Sequence, residues 1–357
     1  MNWKPLPLAL AAVLMLSTGC SSLLTRDYAW VEPHSDTPVS AGDSDTLRVD
    51  SYQALVNALV YLVDKGADSG TIRFDQADQD VKTMLDEACL EVAHEDPLGA
   101  YAVDYIKYTL AQVVATYEAD INITYRRTRE EVAAIADATG ASAIRSELQQ
   151  ALATFSDQVV LRINYFEGDE SYIQDLVREA YLANPASALD YPESSITLYP
   201  DHGERRIVEI VLTYHLSAQT LESRKNSLTR EAQRIVDGLT HLPDEALPQA
   251  LAQAVLDAGG YLAQGDSTAY AALLEGGGND QALALAMALL CQQAGIPCQV
   301  VDGSLNGQSH IWNVVKTSQG YRHMDLTQGT WAIGSDTVWS QSGYQWDTER
   351  IPPCPAS

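Results

Sequence analysis

The longest apolar run in the chain lies near its carboxyl end, at residues 281–293. It is rich in Ala and Leu and contains neither Gly nor Pro, so it predicts a buried helix. A glycine-rich turn at residues 276–278 precedes the run, and Gly295 with the proline two positions later is typical of a helix end. Asp280 lies between turn and helix, where a carboxylate often caps the free N–H groups of the first turn.

Three short segments that follow this helix are rich in β-branched and aromatic residues, which predicts strands at 298–301, 311–316 and 321–326. Residues two apart on a strand share a face, so His323 and Asp325 are expected to point the same way. His310 comes directly before the second of these strands.

The polar and apolar pattern between residues 47 and 238 repeats once. Each copy reads helix, strand, helix, strand, strand. In the first copy these elements are predicted at 51–65, 71–74, 81–92, 103–110 and 117–125. In the second they are predicted around Leu148 and Leu152, then at 160–165, 172–183, 195–199 and 207–214.

Short anchors align between the two copies at an offset of roughly 90 residues. Leu-Val-Asn-Ala-Leu at 55–59 corresponds to Leu-Gln-Gln-Ala-Leu at 148–152, and Ile-Thr-Tyr at 123–125 corresponds to Leu-Thr-Tyr at 212–214. We therefore expect two small α/β modules, residues 47–140 and 141–238. The remaining residues, 239–357, form the C-terminal domain.

The amino terminus has the pattern of a secretion signal at residues 1–19. Lys4 precedes an apolar stretch that is too short to span a bilayer as a mature helix. The stretch ends in Leu-Ser-Thr-Gly-Cys, which resembles a bacterial lipoprotein processing site with Cys20 as the lipidated residue. Residues 20–46 lack apolar periodicity and predict a flexible tether. The expected location is outside the cytoplasm, anchored by lipid to the bacterial cell membrane; an ordinary cleaved signal is the alternative.

Four motifs of the C-terminal domain resemble the bacterial transglutaminase-like domain, a papain-like cysteine fold. Tyr270-Ala-Ala-Leu resembles the segment that leads to the family's glycine turn. His310-Ile-Trp-Asn resembles its histidine strand, and His323-Met-Asp-Leu-Thr resembles its acid strand. Gln281 matches the residue after the family's nucleophile. The resemblance covers roughly residues 240–345.

The repeated pattern and this resemblance together predict an α+β fold class: two repeated small α/β modules, followed by a papain-like domain in which a helix packs on an antiparallel sheet. The resemblance also implies site positions. Asp280, His310 and Asp325 fall at the catalytic triad positions, while Tyr270, Gln281, Trp312 and Asn313 are expected in ligand binding.

The chain departs from the family at the nucleophile, because Asp280 occupies the position of the catalytic Cys. The family's reaction needs a thiolate, which a histidine deprotonates, to attack a carboxamide. A carboxylate attacks an amide poorly, and loss of a triad nucleophile removes several orders of magnitude of rate. Cys291 lies on the same helix about 15 Å further along, out of reach. The resemblance therefore implies a domain without its family's reaction.

Asp280 leaves several alternatives open. It is compatible with a helix cap, with an ion pair to His310, or with a metal site shared with His310 and Asp325. The sequence favours the first two, and no metal or cofactor is expected.

The composition of the chain limits the kinds of binding partner that we expect. The net charge is −26, which opposes electrostatic binding of nucleic acid or of anionic lipid. The expected partner is a peptide, a protein or cell-envelope material, besides the membrane reached through Cys20.

Three classes of function remain open from sequence: a surface-anchored inactive binding protein, an active cysteine protease, amidase or transamidase with a relocated nucleophile, and a structural envelope protein.

Two further features have two interpretations each. The cysteines beyond Cys20 are compatible with disulfides or with buried thiols, and Cys291 and Cys298 are near enough in sequence to pair. The aromatic residues of the tail fit either packing or a ligand surface; they are Trp331, Trp339, Tyr344 and Trp346.

Overall fold

The structure, a computed structural model, describes residues 46–75, 80–114 and 116–356. The predicted signal segment, Cys20 and the tether as far as residue 45 lie outside the described residues. No helix within the described part of the chain has the length and apolar character needed to cross a membrane.

The first group of elements forms a four-stranded sheet with helices packed on it. Its elements in chain order are β1 (Thr46–Val49), α1 (Tyr52–Asp64), β2 (Ser69–Phe74), α2 (Val81–His94), α3 (Pro97–Ala102), β3 (Val103–Val113), β4 (Thr116–Tyr125) and α4 (Arg129–Ala133). The strand order is β1-β2-β4-β3, with β1 parallel to β2 and the other pairs antiparallel.

The second group has the same arrangement. Its elements are β5 (Ala136–Ala138), α5 (Ala141–Ala153), β6 (Gln158–Ile163), α6 (Glu170–Leu182), β7 (Glu193–Tyr199) and β8 (Arg206–Thr213). The strand order is β5-β6-β8-β7, again with only the first pair parallel. The second sheet therefore includes three residues that precede the predicted boundary at residue 141.

The C-terminal part surrounds one helix with three others and a five-stranded antiparallel sheet. Its elements are α7 (Ala218–Leu239), α8 (Leu247–Asp257), α9 (Ala269–Leu274), α10 (Asp280–Gln293), β9 (Cys298–Leu305), β10 (Gln308–Thr317), β11 (Gly320–Asp325), β12 (Ala332–Gly334), α11 (Asp336–Gln341) and β13 (Tyr344–Gln345). The strand order is β12-β11-β10-β9-β13. The mixed α+β class and the antiparallel C-terminal sheet are confirmed.

Helix α10 is the centre of this part. Every residue from Gln281 to Cys291 is buried, which explains why the sequence is apolar on all sides of the helix. After α10, Gly295 adopts a φ of +70°, and the N–H of Ile296 bonds to the carbonyl of Cys291 at 2.8 Å. This left-handed residue ends the helix and turns the chain back towards β9.

The hydrophobic cores join the second sheet to the C-terminal part more extensively than they join the first sheet to the second. One continuous cluster of buried residues runs from the second sheet, at Ala138, through α10 to Leu326. The first sheet has a separate core, which Val160 and Ile207 of the second sheet join. Beside that junction, Arg127 forms an ion pair with the buried Glu209 at 2.7 Å.

Candidate functional site: an aspartate–histidine–aspartate triad

Asp280 is the first residue of α10, after a turn in which Gly276 and Gly277 have φ values of +91° and +125°. A side chain at Gly277 would press against the carbonyl of Gly260, so glycine permits both the conformation and the close approach. The expected N-cap role of Asp280 is wrong, because the side chain of Asn279 accepts from the N–H of Ala282 at 3.0 Å. Asn279 therefore holds the cap position, and the Asp280 carboxylate has partners beyond the helix as well.

The Asp280 carboxylate faces the start of β10. Its Oδ1 accepts from the N–H of Gln281 at 2.9 Å, and its Oδ2 accepts from the N–H of Ile311 at 3.0 Å. Oδ2 also lies 3.1 Å from Nδ1 of His310. The carboxylate thus joins the helix start to the histidine strand.

His310 bridges two carboxylates. Its other ring nitrogen, Nε2, lies 2.8 Å from Oδ2 of Asp325 at the end of β11. The same Asp325 oxygen accepts from the hydroxyl of Tyr344 at 2.6 Å, and Oδ1 accepts from the N–H of Thr327 at 2.9 Å. The structure brings together all three residues predicted at the triad positions.

Burial and hydrogen bonding set the charges of this triad. Burial lowers the pKa of His310, but its hydrogen bonds to Asp280 and Asp325 outweigh that effect and raise the pKa to about 9. Burial raises the pKa of each aspartate, but the hydrogen bonds each accepts, from His310 first, bring both values below the usual range. At neutral pH the triad is therefore one imidazolium between two carboxylates.

The remaining predicted residues have protein partners. Trp312 stacks beside His310, with ring centroids 6.0 Å apart. Gln281 donates to the carbonyl of Ser267, and Asn313 donates to that of Ala284. Tyr270 lies under the guanidinium of Arg224. Only Trp312 of these four contacts the triad histidine through an aromatic pair, and a ligand-binding role for them stays a prediction.

Tyr344 is a site residue that sequence reasoning missed. It lies in β13, a strand of two residues, 19 positions after the carboxylate that it contacts. Tyr344 and Trp346 pair with Trp312, with ring centroids 5.1 and 6.2 Å away, and Trp339 pairs with Tyr344 at 5.0 Å. All four rings belong to one small core. Packing is the role that these contacts show.

A second polar cluster lies behind the triad and contains His323, Asp336 and Cys354, whose ligand-type atoms are within 4.8 Å of one another. Such a set has the chemistry to hold a metal ion. However, the indole N–H of Trp312 donates to Nδ1 of His323 at 2.9 Å. An indole nitrogen can only donate, so the imidazole proton lies on Nε2 and points to Asp336 at 2.8 Å. No imidazole lone pair remains for a metal in this arrangement.

The thiols of Cys291 and Cys354 lie in buried surroundings. Cys291 is fully buried near the far end of α10, and Cys354 belongs to the core behind β11. Burial raises the pKa of Cys354 to about 12, which opposes formation of a thiolate.

A comparison with protein-family models finds a match in the C-terminal domain. Residues 231–326 match the family model described as the transglutaminase-like superfamily. No match was found among curated proteins.

Solved structures show only weak likeness. A structure described as a TGase is 12% identical; the match covers 58% of this chain and 60% of that one, with a TM-score of 0.27. A candidate cysteine protease from Cytophaga hutchinsonii is 10% identical; the match covers 46% of this chain and 70% of that one, with a TM-score of 0.26. A candidate protease from Parabacteroides distasonis is 10% identical; the match covers 71% of this chain and 39% of that one, with a TM-score of 0.23.

The chain spans about 60% of the first of these structures. Its assignment rests on the matched segment, which contains Asp280, His310 and Asp325. The carboxyl-terminal part of this chain contains a transglutaminase-like domain.

Proposed function

We propose that the transglutaminase-like domain is catalytically inactive and serves as a binding domain of a lipid-anchored envelope protein. The observation that carries this proposal is the contact between Asp280 and His310, 3.1 Å apart. A carboxylate occupies the position from which a thiolate would attack, and the histidine beside it is already protonated.

The hydrogen bonds of Asp280 support inactivity. Acyl transfer needs backbone N–H groups aimed at the oxyanion of the tetrahedral intermediate. At this helix start the N–H groups of Gln281 and Ile311 both bind the Asp280 carboxylate. The side chain therefore replaces the nucleophile and also occupies nearby donors. An acyl group on a carboxylate would be an anhydride, which is unfavourable to form from an amide.

The rest of the chain supports a binding role at the cell envelope. The amino-terminal pattern ending at Cys20 supports lipid anchoring outside the cytoplasm. The two groups that precede the C-terminal domain have the same strand order and the same parallel first pair, which supports our interpretation of them as copies of one module. The net charge of −26 favours a peptide, protein or envelope ligand over nucleic acid.

The experiment compares wild type with Asp280→Cys for hydrolysis of glutamine peptides and for incorporation of a primary amine into them. We expect a silent wild type and measurable activity in Asp280→Cys, because the new thiol would lie beside Nδ1 of His310 while Asp325 holds the opposite nitrogen. Two controls are Asp280→Ala, which removes the carboxylate without adding a thiol, and Asp280→Cys with His310→Ala.

Turnover by the wild type that survives in Asp280→Ala would overturn the proposal and indicate a nucleophile elsewhere. If Asp280→Cys folds as the wild type does but stays silent, the cleft has lost more than its nucleophile. Inactivity would then stand, but the expectation that a thiol at position 280 restores activity would be wrong.

A further inference from the structure

Two cysteines lie near each other at the carboxyl end of α10. Cys291 is fully buried in the helix, and Cys298 is the partly buried first residue of β9; both are free. Cys298 packs against the buried cluster that contains Cys291, and its side chain lies near enough to raise the pKa of the Cys291 thiol. Asn313 approaches the Cys298 sulfur at 3.5 Å while also donating to the carbonyl of Ala284 in α10, so this sulfur lies on the helix side of the sheet.

The backbone between the two residues is tightly fixed. The N–H of Gly295 bonds to the carbonyl of Gln292, and that of Ile296 bonds to the carbonyl of Cys291. On the strand side, the backbone N–H of Lys316 in β10 donates to the carbonyl of Pro297. Cys298 pairs with Val315 of the same strand. Two cysteines held near each other by such a turn need little movement to bring their sulfurs to the disulfide bond length of about 2 Å.

We propose that Cys291 and Cys298 form a disulfide that fastens the end of α10 to the sheet that carries His310. This inference does not depend on the proposed function, since it concerns the opposite end of the helix from Asp280. The other described cysteines lie in different cores. Cys89 packs in the core of the first sheet, and Cys354 packs in the small core behind β11. The pairing is therefore specific.

The reaction needs a disulfide oxidant, such as oxidised glutathione. The Cys298 thiolate, the more accessible of the two, attacks one glutathione sulfur and releases a glutathione thiolate. The Cys291 thiolate then attacks the Cys298 sulfur of the mixed disulfide and releases the second glutathione. Two protein thiols lose two hydrogens, and one glutathione disulfide becomes two thiols. The neighbouring Cys298 side chain and burial raise the pKa of Cys291, so the second step accelerates as pH rises.

The test treats the reduced full chain with oxidised glutathione at mildly alkaline pH, followed by alkylation under denaturing conditions and peptide mass spectrometry. We expect the peptide that contains both cysteines to lose two hydrogens, with neither sulfur alkylated. Because the bond closes a loop of about eight residues, the oxidised protein should melt roughly 4–8 °C higher than the reduced protein.

Matched variants separate this pair from the other thiols. Cys298→Ser should abolish the gain in melting temperature, while Cys354→Ser and Cys89→Ser should keep it. A glutathione adduct that persists on Cys298 while Cys291 remains open to alkylation would overturn the proposal. So would a Cys291–Cys298 bond that leaves the melting temperature unchanged.

Discussion

The imidazole Nδ1 of His310 lies 3.1 Å from Oδ2 of Asp280. In a cysteine–histidine site this nitrogen takes the proton of the nucleophile. Here its partner is a carboxylate with a lowered pKa, and the pKa of His310 is about 9. The proton therefore stays on the imidazole at neutral pH, and the two groups form an ion pair.

This ion pair makes the stability of the protein depend on pH. His310 has an ordinary pKa of 6.5 and a folded-state pKa of about 9. Its contribution is fully present below pH 6.5 and is lost as pH rises through 9, because the folded state then releases the proton that stabilised it. Since the group is largely buried, we expect a loss of about 3 kcal/mol in unfolding free energy between pH 6 and pH 10.

Two measurements check this prediction. Denaturant unfolding across that range gives the loss, and NMR of the imidazole gives the titration of His310, assigned with a His310→Gln variant. Asp280→Asn serves as the control, since it removes one negative partner and should lower the pKa of His310. A His310 resonance that titrates below pH 7 in the wild type would contradict the ion pair.

Most of the long elements could be predicted from the sequence because hydrophobic periodicity specifies them. The run at 281–293 became α10, and the strands around His310 and Asp325 are confirmed as β10 and β11. Strands β1 and β5 were missed. Each has only three or four residues and pairs in parallel with a strand that a helix separates from it, so no local pattern marks either.

The triad shows a similar limit. Motif spacing identified Asp280, His310 and Asp325 as site positions. It did not identify the helix cap, because Asn279 and Asp280 are adjacent and both residue types cap helices well. Tertiary contact decides: Asp280 is drawn to His310 on β10, which leaves the cap to Asn279. The hydroxyl partner Tyr344 arrives from a strand of two residues, for which the sequence carries no signal.

The cap assignment gives a second prediction. Asn279→Ala removes the acceptor of the Ala282 N–H at 3.0 Å and should lower the unfolding free energy by about 1 kcal/mol. Asn279→Asp, which retains a capping oxygen, is the matched control and should stay close to the wild type. If denaturant unfolding shows Asn279→Ala to be neutral, the first turn of α10 draws its stability from elsewhere.

Glu209 supplies a third prediction, at the junction of the first two sheets. Its carboxylate accepts from Arg127 at 2.7 Å, from Gln158 at 2.6 Å and from Tyr199 at 3.0 Å. Glu209→Ala leaves Arg127, in a mostly buried place, with only its longer ion pair to Glu131 at 3.5 Å, and should destabilise the fold by about 2–4 kcal/mol.

The control for Glu209 is a surface pair. Arg234, whose side chain is 71% exposed, pairs with Glu231 on α7, and Arg234→Ala should change stability by less than about 1 kcal/mol. Thermal or denaturant unfolding of both variants makes the comparison. Equal effects in the two variants would mean that Glu209 is screened by water as a surface pair is.

The fourth prediction concerns the carboxyl-terminal tail, which Asp336 holds in place. Its Oδ1 accepts from Nε2 of His323 at 2.8 Å, its Oδ2 accepts from the N–H of Cys354 at 3.0 Å, and its own N–H donates to the Cys354 carbonyl at 2.9 Å. Asp336→Ala should cost about 2–3 kcal/mol, because these part-buried hydrogen bonds are lost and the fully buried His323 loses its acceptor. Trypsin should then cleave faster after Arg350.

The isosteric variant makes this test sharper. The indole of Trp312 fixes the proton of His323 on Nε2, so both partners of the Asp336 carboxylate are donors. Asn offers one acceptor and one donor group, and its amide N–H₂ must then face another N–H. Asp336→Asn should therefore destabilise the tail nearly as much as Asp336→Ala, while Asp347→Asn, at an exposed ion pair with Arg350, should not. A wild-type response of Asp336→Asn would contradict the proposed donor role of Nε2 of His323 in this contact.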